Sequence, residues 1–172
     1  NLTSLQALYV TDNSLTHLPE SIGNLKSLET LYVSFNSITN LPDSIGELTQ
    51  LEDIDVGNNF LNQLPESISN LKSLKGLNLE VNHLSELPEW IDNLHSLTAI
   101  DLSYNSISEL PETLGNITYM KELNLCSNSF SELPESLSQL TSLEYLDVDD
   151  NNLTEPCKHP LLQQLKSNGC EI

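Results

Sequence analysis

The sequence predicts an α/β solenoid, a chain coiled through about seven similar turns, with a parallel sheet on its concave face and short helices or 3-10 turns on its convex face. Three observations predict this fold. An asparagine recurs every 23 residues, apolar residues stand at alternate positions before it, and a Leu-Pro pair begins five residues after six of the seven asparagines. A repeat of this length is typical of a chain in which each turn is one structural unit.

The segment before each asparagine is predicted to be a strand. Leu31 and Val33 stand two positions apart, which is the period of a strand, so they face the core while Tyr32 faces outward. No single turn can bury its leucines alone, but stacked turns join them into one core beside a parallel strand ladder. Strands at roughly 4.8 Å give seven copies a sheet on the order of 30 Å across, wide enough for a protein or peptide.

The segment after each Leu-Pro pair is predicted to form a short helix or 3-10 turn. Proline suits the first helical position because its missing amide hydrogen has no partner there, so we place Pro42 and its equivalents at that position. An acidic residue follows each of these prolines and would lie beside the positive end of the helix.

The repeated asparagines are predicted to be structural. Each lies where a strand turns away from the sheet, and its amide can pair with loop carbonyl and amide groups that water cannot reach. This asparagine ladder consists of Asn13, Asn36, Asn59, Asn82, Asn105, Asn128 and Asn151.

The repeat, written LxxLxLxxNxLxxLPxxIxxLxx, resembles that of the leucine-rich repeat family over residues 1 to about 155. One turn carries it as Leu74, Leu77, Leu79, Asn82, Leu84, Leu87, Pro88, Ile91 and Leu94. The resemblance implies a right-handed horseshoe used for protein-protein recognition, as in intracellular Ras-associated and scribble-type scaffold proteins and in many bacterial repeat proteins.

The two ends of the chain depart from the repeat. Residues 156–172 are predicted to be a C-terminal capping helix and tail, because Pro156 stands where a leucine is due. Leu2 and Leu5 enter the repeat with no cap before them, so an open edge of the core would face water. From this edge we expect either that the chain is excerpted from a longer protein or that its first turns were lost.

Function in such a fold depends on the side chains that the repeat pattern does not require for the core or the turns. Equivalent positions in successive turns form columns, and the central outward column runs Tyr9, Tyr32, Asp55, Asn78, Asp101, Asn124 and Asp147. At the edge of the concave face the next two columns run Thr11, Ser34, Gly57, Glu80, Ser103, Cys126 and Asp149, then Asp12, Phe35, Asn58, Val81, Tyr104, Ser127 and Asp150. From these columns we predict a partner-binding set of Tyr9, Tyr32, Phe35, Asp55, Asn78, Glu80, Val81, Asp101, Tyr104 and Asp147.

Two interpretations of these columns stay open at this point. Tyr9, Tyr32 and Phe35 are expected to form an aromatic corner that anchors a partner, or they pack against missing N-terminal turns. The alternating Asp and Asn residues recognise a basic segment, or they only keep an acidic sheet soluble. Trp90, in a convex column otherwise made of Ser and Thr, is expected to be a packing variant or a second contact surface.

Composition narrows the classes of partner. The chain has 25 acidic residues against six lysines and no arginine, for a formal net charge of −19. Binding of nucleic acid or anionic lipid needs basic surface, so both are set aside. There is no long apolar run for membrane insertion and no signal sequence, so a cytoplasmic location is expected. The alternative is a secreted or cell-surface protein with a Cys157–Cys170 disulfide.

No catalytic residue, cofactor or metal site is predicted. The four histidines fall in different columns, and the repeat places none beside Cys126. Calcium on Asp147, Asp149 and Asp150 is a minor option that lacks the spacing of a calcium loop. The sequence therefore predicts a non-catalytic module that binds a protein or peptide with a basic and apolar surface. The alternatives are the recognition domain of a larger kinase, GTPase or ubiquitin ligase, and an extracellular adhesion or receptor fragment.

Overall fold

The computed structural model describes residues 2–172, apart from the side chain of Cys157, and contains one seven-stranded parallel sheet. The strands are β1 (Ala7–Tyr9), β2 (Thr30–Tyr32), β3 (Asp53–Asp55), β4 (Gly76–Asn78), β5 (Ala99–Asp101), β6 (Glu122–Asn124) and β7 (Tyr145–Asp147). They pair in chain order, and each register step joins residues 23 apart, as in Leu8↔Leu31 and Leu31↔Ile54. The predicted solenoid is confirmed.

The core lies directly behind the sheet. In β2, Leu31 is fully buried while Thr30 and Tyr32 are half-buried on the concave face, and Val33 returns to the core. The same alternation in every turn joins the inward leucines and isoleucines into one continuous cluster. Stacking therefore supplies the burial that a single turn cannot provide.

Short 3-10 helices connect the strands. Six have five residues: Glu20–Asn24, Asp43–Glu47, Glu66–Asn70, Glu89–Asn93, Glu112–Asn116 and Glu135–Gln139. The placement of Pro42 at the first helical position is wrong, because Pro42 is extended (φ −71°, ψ 149°) and caps a helix that begins at Asp43. Its fixed φ suits the extended approach to the helix as well as the first helical position.

Two of the acidic residues that follow the prolines have a second role beside their favourable position at the helix start. The Glu112 carboxylate accepts the backbone N–H of Ser136 in the following turn at 3.2 Å, and Glu20 accepts that of Ser44 at 3.3 Å. These acids therefore link neighbouring turns on the convex side.

Close packing of the 3-10 helices explains the glycines on the convex side. At Gly46 the backbone and Cβ of Ser67 occupy the space that a side chain would need. The pair equivalent to Gly46 and Ser67 in the next turn is Ser69 and Trp90, so larger residues occupy both positions there. Trp90 is partly buried against the core, which favours packing over a second contact surface.

The asparagine ladder ties neighbouring turns together. Asn82 donates its amide hydrogens to the carbonyls of Val56, Leu79 and Glu80 at 3.1–3.2 Å, and its oxygen accepts the N–H of Leu61 at 2.9 Å. Val56 and Leu61 belong to the preceding turn, whereas Leu79 and Glu80 belong to its own. At the open N-terminal end, Asn13 is exposed. Among the described residues, its side-chain amide donates only to the carbonyls of Val10 and Thr11.

The C-terminal segment closes the last turn. A three-residue 3-10 helix (Pro156–Lys158) leads into helix α1 (Pro160–Ser167), which buries Leu161, Leu162 and Leu165. Glu171 then pairs in parallel with Tyr145 of β7, and its carbonyl accepts the N–H of Leu146 at 2.9 Å. Cys170 is buried and free, while the proposed pairing with Cys157 involves a side chain outside the described residues.

The N-terminal end has no comparable cover among the described residues. Leu5, Leu8 and Val10 are only partly buried against the core, and Leu2 is 68% exposed. Over residues 2–172, no helix has the length and hydrophobicity required to cross a bilayer.

We expect Asn82→Ala to lower the free energy of unfolding by about 2 kcal/mol, because it removes four hydrogen bonds and leaves the N–H of Leu61 without its partner. For a chain of this length that is a fall in Tm of roughly 4–8 °C, measured by thermal denaturation. Asn13→Ala is the matched control and should change Tm much less, because Asn13 is exposed and its side-chain amide bonds only to carbonyls of its own turn. Equal losses at the two positions would contradict a role in joining turns.

Candidate protein-binding face

The concave face of the sheet is open and contains a groove of about 370 Å³ that runs from β2 to β7. It is lined by Tyr32, Asp53, Ile54, Asp55, Gly76, Leu77, Asn78, Ala99, Ile100, Asp101, Glu122, Asn124 and Tyr145. The carboxylates lie on β3, β5 and β6, and the two tyrosines lie on the outermost strands of the groove, β2 and β7. The groove therefore combines negative charge with aromatic ends.

The central column lies on this face in the predicted register. Tyr9 pairs with Tyr32, Tyr32 with Asp55, and so on to Asp147 on β7. The rings of Tyr9 and Tyr32 meet edge to face, with centroids 5.3 Å apart and planes at 84°. Phe35 lies on the loop after β2 and is 54% exposed, and its ring makes no ring contact with Tyr9 or Tyr32 in the described structure. The expected aromatic corner is thus a tyrosine pair with a separate phenylalanine.

The Asp and Asn members of the central column share a structural role that sequence reasoning missed. In each, Oδ1 accepts the backbone N–H of the residue two positions on, at 2.8–3.1 Å; the pairs are Asp55–Gly57, Asn78–Glu80, Asp101–Ser103, Asn124–Cys126 and Asp147–Asp149. Either residue type supplies the acceptor, so the bond explains the Asp/Asn restriction. Aspartate and asparagine at this position therefore share this bond and differ in charge.

One lateral hydrogen bond joins an asparagine of this column to a neighbouring aspartate. The Nδ2 of Asn124 donates to Oδ2 of Asp101 at 2.9 Å. Asp101 therefore accepts at both carboxylate oxygens, one within its own strand and one from β6. Such a carboxylate is held in one orientation before any partner arrives.

A second outward column lines the groove and was also missed. It is the first residue of each strand, and it runs Ala7, Thr30, Asp53, Gly76, Ala99, Glu122 and Tyr145. Gly76 and Ala99 form a shallow floor, and the carboxylate of Asp53 occupies the space where a side chain on Gly76 would begin. The two-residue period could have found this column, because a residue two before the central one lies on the same face.

The column that begins at Thr11 is less exposed to solvent than the sequence predicts. Ser34 and Ser103 are buried, at 4% and 3% exposure, and Gly57 is buried as well. The hydroxyl of Ser103 donates to Asp101 at 2.6 Å, so it supports the central column rather than facing a partner. Glu80 covers Gly57, whose missing side chain leaves room for the Glu80 Cγ.

The column that begins at Asp12 has left-handed backbone in every turn. Phe35, Val81 and Tyr104 have φ of 53°, 49° and 54°, where bulky and β-branched residues are strained. They are also 54%, 40% and 57% exposed, so burial does not offset the strain. The other turns have Asp, Asn or Ser at this position. Exposed, strained apolar residues at an edge of the face are candidates for partner contact.

The carboxyl group of Glu80 lies near other negatively charged side chains of the concave face. Burial raises the pKa of the Glu80 carboxyl above its ordinary value, and the charges of Asp101 and Asp55 raise it further. The hydrogen bond from Nδ2 of Asn58, at 2.8 Å, acts in the opposite direction. A cation placed beside Glu80 would relieve this repulsion.

Among the described side chains, no group of three or more His, Cys, Asp and Glu residues is placed to hold a metal ion. The described side chains include Asp147, Asp149 and Asp150, the three residues of the calcium site considered above as a minor option. Cys126 is half-buried, and its Sγ lies 3.4 Å from the hydroxyl of Ser127 rather than beside a histidine. The arrangement supports binding chemistry rather than nucleophilic chemistry.

Val81→Asn should raise the free energy of unfolding by about 1 kcal/mol, because asparagine adopts positive φ with less strain than valine. That corresponds to a Tm increase of roughly 2–4 °C in thermal denaturation. The reverse change at an equivalent position, Ser127→Val, should lower Tm by a similar amount. A lower Tm for Val81→Asn would show instead that Val81 contributes packing.

Glu80→Gln should raise Tm at pH 7 and leave it unchanged at acid pH. Because the folded-state pKa lies above the unfolded value, the ionised carboxylate destabilises the fold at neutral pH, and this effect disappears as pH falls below the unfolded pKa. The glutamine oxygen can still accept from Asn58. Thermal denaturation from pH 4 to 7 measures the difference, with exposed Glu86→Gln as the charge-matched control. The same pH-dependent difference for both variants would refute a local effect.

Comparison with known proteins agrees with this architecture. A family model described as a leucine-rich repeat region matches residues 1–81 and 67–167. Among solved structures the chain is similar to the leucine-rich-repeat ectodomain of the plant membrane receptor kinase GASSHO1/SCHENGEN3 from Arabidopsis thaliana, in complex with CASPARIAN STRIP INTEGRITY FACTOR 2. The TM-score is 0.80 at 30% identity, covering 87% of this chain and 19% of that chain.

The chain is also similar to a leucine-rich-repeat protein of Leptospira interrogans, with a TM-score of 0.57 and 29% identity over 95% of this chain and 53% of that chain. It thus spans about a fifth and about half of the lengths of these two proteins. No curated protein matches the sequence. Leucine-rich repeats commonly mediate protein-protein interaction and are typically non-catalytic. Since the family model covers most of the chain and the strands repeat at its period, this chain belongs to the leucine-rich repeat family.

Proposed function

We propose that this chain is a non-catalytic interaction module that holds a protein or peptide segment on its concave face. The observation that carries the proposal is the groove from β2 to β7, which lies on an open sheet face. The convex side is occupied by 3-10 helices packed on one another, and α1 packs on the last of them. A face of this width that presents side chains from six strands suits an extended partner surface.

The chemistry of the face supports a basic and apolar partner. Asp53, Asp55, Asp101 and Glu122 line the groove in a chain of net charge −19, which attracts cations and repels nucleic acid. Tyr9 and Tyr32 supply an amphipathic ring pair at the N-terminal end of the face, and Tyr145 supplies another ring at the opposite end. Exposed tyrosines are frequent anchors in interfaces.

A second candidate is the recognition part of a larger signalling protein, with the signalling or catalytic part outside this chain. The similarity to the ectodomain of a receptor kinase, which was solved with a bound partner, favours this candidate, and so does the small share of that protein that the chain covers. For location we propose the cytoplasm, with an extracellular setting as the alternative. Cys170, a free and buried cysteine here, would need Cys157 as partner in the latter case.

The double variant Tyr32→Ala/Phe35→Ala should fail to capture the partner while Tm falls by no more than roughly 3 °C. Both side chains lie outside the core, and the main stabilising interaction that the variant removes is the Tyr9–Tyr32 ring pair, worth about 1 kcal/mol. The measurement is a pull-down from a lysate of the source organism, counting only proteins that the wild type retains and the double variant does not.

The control for this capture is Tyr119→Ala. Tyr119 is 70% exposed on the loop before β6 and does not line the groove, so its removal should leave capture intact. A large fall in Tm with capture unchanged would show that Tyr32 and Phe35 are packing residues. Association rates that fall as salt is raised would support steering by the acidic face.

A further inference from the structure

The charges of the central column alternate with strand number. Asp55, Asp101 and Asp147 lie on β3, β5 and β7, and Asn78 and Asn124 lie between them on β4 and β6. Neighbouring strands are about 4.8 Å apart, so successive carboxylates of this column are about 9.6 Å apart. This row of three aspartates, which we call the carboxylate row, crosses the strands along the axis of the solenoid.

A chain lying along the groove must also cross the strands. An extended chain advances about 3.3 Å per residue, so three residues span about 10 Å. A polyproline II chain makes one turn every three residues and advances about 9.3 Å. Both distances match the spacing of the carboxylate row, but residues three apart face opposite sides of an extended chain and the same side of a polyproline II chain. In polyproline II, steps of two or four residues advance only about 6.2 or as much as about 12.4 Å.

The groove has space for the stems of long cationic side chains. Its floor is formed by Gly76 on β4, which has no side chain, and by Ala99 on β5, whose side chain is a single methyl group. Tyr32 and Tyr145 stand at its two ends, where their rings can pack against lysine or arginine stems. Asp53 and Glu122 add negative charge beside the carboxylate row.

The aspartates of the row are also oriented in advance. Each is fixed at Oδ1 by a backbone N–H, at 3.0 Å in Asp55, 2.8 Å in Asp101 and 2.9 Å in Asp147. A carboxylate already held in place loses little side-chain freedom when it pairs with a cation. The fixed orientation makes the distance between charges a property of the fold.

We propose that the occupant of the groove is a polyproline II segment that crosses the strands and carries Lys or Arg at every third residue. Successive cations pair with Asp55, Asp101 and Asp147. The inference rests on the proposed function and deepens it, because it names the charge spacing that the partner segment must have.

The test uses three fluorescent peptides of equal length and equal charge on the same alanine and proline background. Each has three lysines, placed at every second, every third or every fourth residue. Fluorescence anisotropy at low salt measures the dissociation constants. We expect the peptide with every third residue basic to bind about 5–10-fold more tightly than the other two.

The test variant is Asp55→Asn/Asp101→Asn/Asp147→Asn, in which asparagine keeps the Oδ1 acceptor, as Asn78 and Asn124 already do. The control is Glu66→Gln/Glu89→Gln/Glu135→Gln, which makes the same change of charge at exposed positions on the 3-10 helices. The first variant should abolish the preference for every third residue. The second should reduce binding of all three peptides slightly and preserve the preference.

Three results would overturn the proposal. Equal affinity for all spacings, reduced by the test variant and not by the control, would refute the spacing while leaving the concave face as the binding site. If both variants reduced the peptide affinities equally, net charge alone would determine binding. Peptide binding would then no longer support the concave face as the binding site. Absence of peptide binding would also refute the inference, and the capture experiment with the Tyr32 and Phe35 variant would then decide the proposed function separately.

Discussion

The structure depends on the side-chain amide of one asparagine in each turn. Asn59 donates to Val33 in the preceding turn and to Val56 and Gly57 in its own, and its oxygen accepts the N–H of Ile38. These groups lie where the strand has ended, and without the amide the N–H of Ile38 would lose its partner while each carbonyl would keep only one donor. Each turn is thereby fixed on its predecessor, and the register of 23 residues extends through the whole sheet.

The features that could be predicted from the sequence are those set by the repeat. The inward positions of Leu31 and Val33 and the outward position of Tyr32 follow from a two-residue period. The role of Asn82 follows from its position at the end of a strand. The 3-10 helices follow from the Leu-Pro pairs, although their first residue does not, because proline fits the capping position as well as the first helical position.

The features that could not be predicted depend on contacts between turns. Nothing in the sequence around Ser34 indicates that neighbouring strands bury it, and nothing near Asp101 indicates that its oxygens bond to Ser103 and Asn124. The positive φ of Val81 could not be predicted either, because residues with very different backbone preferences occupy that column. The fold imposes the left-handed conformation there, whatever the local propensity.

The hydrogen bonds within the central column have a consequence for how this face can diversify. At each of the five turns from β3 to β7, aspartate and asparagine make the same bond to the backbone and have nearly the same shape. Exchanging one for the other alters the charge of a turn and keeps this bond to the backbone. Five turns with two states each provide about thirty charge patterns on one constant scaffold, so related proteins can acquire different partners while keeping the same fold.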